Sequence, residues 1–432
     1  MTKHHGSRIA LAAMMTAGAL ILTGCSGGGA AGGGGGAGGG ATEEFSFTFA
    51  TSNNLESPYA TLANEYMAAN PGVTITLNPT PNDKYGETIR TQLQAGNASD
   101  VIQTAPGSGD GRSVVPLAEA GFLEPLGAAS EEMIPENADS MFKFEDKVYG
   151  QPMDFTVIGV VASMGTAAQN GITEFPATMA DLDATCASLK GAGKSLFALA
   201  GAAPPNVGLT LQSISATRVY ADTPDWNQQR ADGKVTFADS KGWRDTLQTF
   251  MDLNAKGCFQ PGAEGGGFDA ITNGMAQGQS VASVIPSGSA VEIAQAAPPE
   301  ANFQALPFPA ADGGKPRVLA SSNYAISINA ASTHKDAASK FVEWLGSAEA
   351  QQRFYEVSGL LPAVGHEDLD LSSTLYAPMA DLLESKSYSP LPSSAWPNSA
   401  VYDALCTGGQ GLLTGQMTID DVLKSLDQAW DS

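Results

Sequence analysis

"FSFTFATSNNLESPYATLANEYMAANPGVTITLN" (45–78) sets the architecture of this chain. Its first six residues alternate large apolar and small ones, the period of a strand. Ser57 then Pro58 marks a helix start, a capping hydroxyl followed by a ring that suits the first helical position. Apolar residues recur at helical spacing until Pro71-Gly72 stops them, and "VTITLN" returns to strict alternation. Working outward, "DKYGETIRTQLQAG" (83–96) reads as a second helix and "SDVIQT" (99–104) as a third strand. Strand, helix, strand, helix, strand in such short order predicts an α/β fold with a parallel sheet and crossover helices.

The pattern continues downstream. "KVYGQPMDFTVIGVVAS" (147–163) is strand-rich and broken by Pro152. "TMADLDATCASLKGAG" (178–193) and "SKGWRDTLQTFMDLNAKG" (240–257) read as helices, with the strand "SLFALAG" between them. "GFDAITNGMAQGQ" (267–279) leads into the strand "SVASVI" (280–285). "NFQALPFPAADGG" (302–314) is extended and Pro-marked, as expected of a linker or crossing, and "SSNYAISIN" alternates again. From His334 onward the pattern is helical almost to the end. No internal repeat is present beyond a glycine-rich low-complexity stretch.

That stretch lies near the N-terminus, in "LILTGCSGGGAAGGGGGAGGG" (20–40). Lys3 and Arg8 precede an apolar run too short to span a bilayer comfortably, the pattern of a secretory leader. Leu22-Thr23-Gly24-Cys25 resembles a bacterial lipobox, which implies diacylglycerol on Cys25 and cleavage just before it. The glycine-rich coil after it would be a flexible tether of roughly 20 Å root-mean-square span. The rest of the chain is long enough for two domains.

The net charge is -23. That argues against nucleic acid, which needs basic surface, and against lying on an anionic bilayer. Of the four cysteines, Cys25 is assigned to lipid. Cys186, Cys258 and Cys406 leave room for one intrachain disulfide, and none has zinc-finger spacing.

Motifs for chemistry are sparse. "KGAGKS" (190–195) resembles a phosphate loop, but Ser188 stands where glycine is required. Its expected order, helix, turn, strand, is also the reverse of what phosphate binding needs. His4 and His5 fall in the leader, and His334 and His366 are isolated, read as solvated or capping residues, so no metal is expected. No G-x-S-x-G elbow occurs, no Cys/His pair has a recognisable spacing, and nothing singles out two carboxylates for glycoside hydrolysis. No cofactor is expected. Trp226 and Trp344 read as structural. Trp396, in the Pro/Ser loop of "PLPSSAWPNSAVYDAL", reads either as packing or as an apolar platform for a sugar ring.

Several passages together resemble the extracellular solute-binding proteins, family 1, of ABC sugar importers. They are the opening segment, "GFDAITNGMAQGQSVASVIPSGSA", "NYAISINAASTHKDAASKFVEWLGSAEAQQRFYEVSGLLPAV" and "GLLTGQMTIDDVLKSLDQAWDS". The resemblance covers nearly everything after the tether. It implies the periplasmic-binding-protein-like fold, two α/β lobes joined by hinge crossings near Asp154–Thr156, Gln304–Leu306 and Leu361–Val364. Residues 1–24 would be leader and 25–42 lipidated cysteine and tether. Lobe 1 would comprise 43–154 and 306–362, and lobe 2 would comprise 157–304 and 365–432. The expected disulfide joins Cys186 to Cys258 within lobe 2 and leaves Cys406 free.

Carried over position by position, the resemblance implies a ligand site between the lobes. It would use Asn53 and Asn54 after the first strand, Thr104 and Asp110 after the third, and Asp154 at the first crossing. Ser287, Gly288 and Ser289 follow "SVASVI", Asn323 follows the second crossing, and Trp396 matches the aromatic residue of the C-terminal lobe. Many oligosaccharide binders carry a tryptophan where this chain has "PSGSA", so a smaller or mainly hydrogen-bonded ligand is implied. The expected function is capture of a solute, a carbohydrate first of all, by a monomeric receptor that is held to the membrane by lipid on Cys25 and serves ABC transporter permease subunits. The alternatives are a non-sugar ligand, or a lipoprotein enzyme such as a glycosidase.

Overall fold

The computed structural model describes residues 43–51, 57–135 and 138–432. The leader, Cys25, the glycine tether, Asn53 and Asn54 lie outside the described residues. Alternation along the first segment becomes strand β1 (Glu43–Thr51), with Phe45, Phe47 and Phe49 buried. Helix α1 (Pro58–Ala69) follows, with Ser57 Oγ accepting from the backbone N–H of Tyr59 at 3.3 Å. Strand β2 (Val73–Pro81), helix α2 (Asn82–Ala95) and strand β3 (Val101–Thr104) complete the predicted alternation. Gly96 ends α2 with φ 72°, a left-handed conformation that glycine adopts without a Cβ penalty.

β1 pairs parallel with β2 and β3. The short strands β4 (Leu123–Glu124) and β5 (Gln151–Pro152) belong to the same sheet. The chain then leaves it and opens a second sheet with β6 (Thr156–Ser163). Helix α3 (Met179–Gly191), strand β7 (Ser195–Ala198), helix α4 (Pro204–Ser215), helix α5 (Lys241–Lys256) and helix α6 (Phe268–Ala276) lead to β8 (Ser280–Pro286). Helix α7 (Ser289–Ala296) and strands β9 (Phe303–Leu306) and β10 (Val318–Ser321) follow. The chain returns to the first sheet with β11 (Ala325–Asn329), α8 (Lys335–Leu345) and α9 (Ala348–Ser358). It passes again to the second with β12 (Tyr388–Ser389), α10 (Ser399–Thr414) and α11 (Ile419–Trp430).

The sheet orders are β2-β1-β3-β11-β4, with β5 also on β11, and β12-β10-β6-β8-β7, with β9 also on β6. Each sheet has one strand antiparallel to its central neighbours, β11 in the first and β6 in the second. Both enter directly from the other lobe. A strand that arrives across the interlobe boundary enters its sheet at the end where the parallel strands finish, so it must run against them.

Two sequence expectations shift. "NFQALP" was expected to cross between lobes, but β9 pairs antiparallel with β6 and stays in the second sheet. The return occurs at Ser322–Tyr324, between β10 and β11. Pro-rich chain signals a break in pairing, and here the break falls after β9. The helical reading from His334 onward is interrupted between α9 and α10 by 3₁₀ turns and β12.

The predicted disulfide pair sits as follows. Cys186 on α3 is bonded to Cys258, which follows the α5 cap Gly257 (φ 75°), with Cα atoms 4.8 Å apart. Cys406 is free and buried. Closing a loop of 72 residues stabilises by roughly 4 kcal/mol through loop-closure entropy. "KGAGKS" lies at the end of α3, in a turn with Gly193 at φ 73°, and runs into β7. The order is thus helix, turn, strand, and no helix N-terminus faces a phosphate there.

Candidate functional site

Three crossings join the lobes, and hydrogen bonds stitch them to one another. At the first, Asp154 is 0 % exposed. Its Oδ1 accepts from the backbone N–H groups of Asn323 (3.2 Å) and Tyr324 (2.9 Å) on the second crossing. The Thr156 hydroxyl donates to its Oδ2. Burial pushes the Asp154 carboxyl up to about 7, although all three hydrogen bonds favour its ionised form. The Phe155 N–H donates to Leu361 O on the third crossing at 2.7 Å. His366, expected as a solvated or capping residue, is buried and stacks on Phe155 with centroids 3.9 Å apart. Burial holds its pKa below the ordinary value.

Beside these crossings a cavity of about 430 Å³ opens between the lobes, within the range of small-molecule sites. Thr51 and Pro81 at the ends of β1 and β2, and Pro58 and Asn82 at the starts of α1 and α2, line it from the first lobe. Asn206, Phe268, Ile271, Pro286, Ser289 and Glu292 line it from the second, with Tyr324 and Leu360 from the crossings. It therefore lies where parallel strands end and helices begin, the usual place for ligands in open α/β sheets. A larger hollow of 560 Å³ beside Glu43 and His334 is lined by first-lobe residues alone and is more open. The interlobe cavity is the better site because both lobes and a crossing contribute to it.

The sequence-predicted residues fall in different places. Gly288 and Ser289 line the cavity, and a Cβ at Gly288 would lie 2.7 Å from Leu360 Cδ2. Asn53 and Asn54 lie outside the described residues, but Thr51 and Pro58, which bracket them, are on the cavity wall. Asp154 and Asn323 meet each other at the crossings. Asp110 is in the loop after β3, 40 % exposed, with Oδ1 accepting from the Arg112 backbone N–H at 2.9 Å.

The others face inward. Thr104 is buried, its hydroxyl 2.8 Å from that of Ser327 between β3 and β11. Ser287 is buried with its Oγ 2.9 Å from Tyr376 Oη. Trp396, expected as a ligand platform, is 0 % exposed and offers no face to the cavity. It packs near Phe237 and Trp243, with centroids 6.0 and 6.1 Å away. Its indole N–H donates to Asn227 Oδ1 at 3.3 Å. The Pro/Ser context misled because exposure depends on what packs over a loop, and here helices of the second lobe do.

The sequence reading missed Phe268 and Tyr324. Phe268 opens α6 on the cavity wall and is 38 % exposed. A large aromatic directly after the glycines of "GGGF" (265–268), at a helix's first position, was the available signal.

The lobes also touch directly. The loop containing Gly107, Ser108 and Gly109 meets the segment leading to Trp396. Ser108 N donates to Ser394 O at 3.0 Å and Ser108 Oγ donates to Trp396 O at 2.6 Å. A Cβ at Gly109 would stand 1.8 Å from Ser393 O, so only glycine permits this approach.

Known proteins resemble this chain in sequence and fold. A multiple sugar-binding protein of Streptococcus mutans serotype c is 23% identical over 335 residues, covering 76% of this chain and 77% of its own. A structure from work on xylan utilisation by the thermophile Caldanaerobius polysaccharolyticus superposes with TM-score 0.75 at 20% identity, covering 89% of this chain and 99% of that one. A solute-binding protein solved in complex with raffinose gives TM-score 0.72 at 18% identity, covering 89% and 98%. The fold is thus the two-lobed, periplasmic-binding-protein type. The family model for bacterial extracellular solute-binding proteins matches residues 50–352, and the chain belongs to that family.

Proposed function

We propose that this protein is the lipid-anchored sugar receptor of an ABC importer, which captures a small carbohydrate by closing its lobes. The observation that carries the reading is the interlobe cavity, which is lined by a partly exposed aromatic, Phe268, together with Asn82 and Tyr324. A sugar ring offers C–H groups on one face and hydroxyls around its rim, which an aromatic platform and polar tips match. A ligand that touches both lobes makes more contacts when they are closed, and that difference in affinity drives closure. The multiple sugar-binding relative supports a carbohydrate ligand.

Lipid on Cys25 and a flexible tether would keep such a receptor beside its permease while leaving it free to rotate and dock. Cys25→Ala is expected to release the protein from the membrane with ligand affinity unchanged, as measured by fractionation and calorimetry. Retention of the variant in the membrane would count against the anchor. The receptor reading is tested by calorimetry of the mature chain against a panel of neutral mono- and oligosaccharides, with ligand recovered after long incubation. Saturable binding and intact sugar are expected. Hydrolysed sugar would make it an enzyme, and no binding across the panel would remove the sugar.

A further inference from the structure

The direct contact between the lobes joins two segments that are each tied into their own lobe. In the first lobe, the Gly107 N–H donates to Met141 O at 2.8 Å, and Gly107 O accepts from the Val115 N–H at 3.1 Å. The Asp110 N–H donates to Ser113 Oγ at 2.9 Å. Arg112 closes the turn, with its carbonyl accepting from the Ala105 N–H at 3.0 Å and its guanidinium over the rings of Tyr85 at 5.5 Å and Tyr324 at 6.0 Å. In the second lobe, the Ser393 N–H donates to Gln212 Oε1 on α4 at 2.9 Å, and Pro392 O accepts from Asn227 Nδ2 at 3.0 Å. The Ser394 N–H donates to Leu391 O at 3.0 Å. Across the boundary, the Ser108 N–H meets Ser394 O and the Ser108 hydroxyl meets Trp396 O.

Two glycines set how near the backbones come. A Cβ at Gly107 would lie 1.9 Å from Ser394 O, as close as one at Gly109 would come to Ser393 O. Surfaces already ordered on both sides lose little freedom when they join. Every donor and acceptor in the contact belongs to the protein. None of Gly107, Ser108, Gly109, Ser393, Ser394 and Trp396 is on the described cavity wall. The contact therefore forms whether or not the cleft is filled, and a contribution equal in both states shifts nothing between them.

We propose that the turn at Ser108 and the segment 393–396 form a latch that holds the lobes together in the free protein. The cleft then fills only from a parted minority and empties only after the latch breaks. Because the latch stabilises the closed protein equally with and without ligand, it cancels from the affinity while slowing both uptake and release. That kinetic consequence rests on the receptor reading; the latch itself does not.

Hydrogen exchange at the Ser108 amide, followed by NMR on the mature chain without ligand, tests the latch directly, since the acceptor of that amide is in the other lobe. It is expected to exchange at least about tenfold more slowly than an unstructured amide. Ser108→Ala keeps the N–H and removes only the hydroxyl bond to Trp396 O. Corrected for its intrinsic rate, the amide at 108 is then expected to exchange about fivefold faster, as for loss of one neutral hydrogen bond. The Gly107 amide, bonded within its own lobe, and the melting temperature are expected to stay as they are. In stopped flow with raffinose as the probe, uptake and release are both expected to quicken about fivefold, with affinity held within about twofold. An unprotected Ser108 amide in the wild type, or an exchange rate that Ser108→Ala leaves unchanged, overturns the latch. Loss of protection shared with Gly107 and a lower melting temperature also overturn it, by making Ser108 part of the first lobe's own scaffold. Weaker raffinose binding at an unchanged uptake rate does the same, since the contact would then form only after the sugar is in. If raffinose does not bind, the receptor reading fails for that sugar and the amide still decides the latch.

Discussion

Trp396 and Arg112 stand on the two sides of one interlobe boundary, and their surroundings are opposite in kind. Trp396's own demands are met: the ring is enclosed by aromatic neighbours, the indole N–H reaches Asn227, and Asn227 in turn takes the Tyr220 hydroxyl and donates to Pro392 O. Around Arg112 the rings are in place, but Nη1 and the nearby Tyr59 hydroxyl have no partner among the described residues. Trp396 thus has its single polar atom paired, while Arg112 and Tyr59 each keep one that has no partner among the described residues. Burial and pairing, which depend on distant residues, separate the two side chains where residue type alone does not. A tryptophan in a Pro/Ser loop suggested a platform, and its packing says scaffold.

The comparison breaks most readily at Trp396. Trp396→Ala is expected to cost about 3–5 kcal/mol of stability, as for a fully enclosed aromatic truncated to alanine. Its sugar affinity, measured where the variant is still folded, should match the wild type. Denaturant titration and calorimetry on the same sample read both quantities. A variant that kept its stability but lost affinity would return Trp396 to the site.

The contact between the lobes gives a smaller effect. Gly109→Ala places a methyl on Ser393 O, and the lobes must part or strain to accept it. A cost of about 1–3 kcal/mol is expected, as for overpacking, and it should fall on closure more than on folding. Small-angle scattering without ligand should show a larger radius of gyration than the wild type, with little change in melting temperature. An unchanged radius together with a lower melting temperature would mean that the contact belongs to the folded scaffold and does not set the opening.

Much of the fold was legible in the sequence for a physical reason. Alternation in "FSFTFA" and "VTITLN", the Ser57-Pro58 start and the glycine caps at Gly96 and Gly257 are local signals, and local signals survive into tertiary structure. The second crossing was misplaced because β9 and the segment after β10 are both extended. Only pairing with β6 tells them apart, and pairing is a long-range property. The site was less legible. Gly288 and Ser289 lie on the cavity wall, while Thr104, Ser287 and Trp396 turn inward. Whether a polar side chain is spent within the fold depends on a partner far away in sequence, as Thr104 on Ser327 and Ser287 on Tyr376 illustrate. Arg112 could not be singled out, because what marks it is an Nη1 without a partner among the described residues, and pairing is not written in the local sequence.

Asp154 sharpens the comparison, since it is satisfied like Trp396 yet carries a proton equilibrium. Its two backbone donors and Thr156 hold the crossings together, while burial raises its carboxyl from 3.8 to about 7. Between those values the folded protein binds more protons at this group than the unfolded chain does. Stability from Asp154 is therefore fully present below 3.8 and lost as pH rises through about 7. The slope is at most about 1.4 kcal/mol per pH unit. His366, whose pKa is lowered by burial, works in the other direction as pH falls through its ordinary 6.5, so the wild-type curve alone is ambiguous. Asp154→Asn separates the two. The amide oxygen can still accept from Asn323 and Tyr324, and the amide N–H₂ can donate to Thr156, so the stitching survives without the titration. His366 is common to both proteins and cancels in their difference. The melting temperature of the wild type relative to Asp154→Asn is expected to fall steadily from pH 4 to about pH 7 and then level off. A flat difference would mean that the hydrogen bonds keep Asp154 ionised throughout, so that a satisfied carboxylate at the crossings is as inert to pH as a satisfied indole.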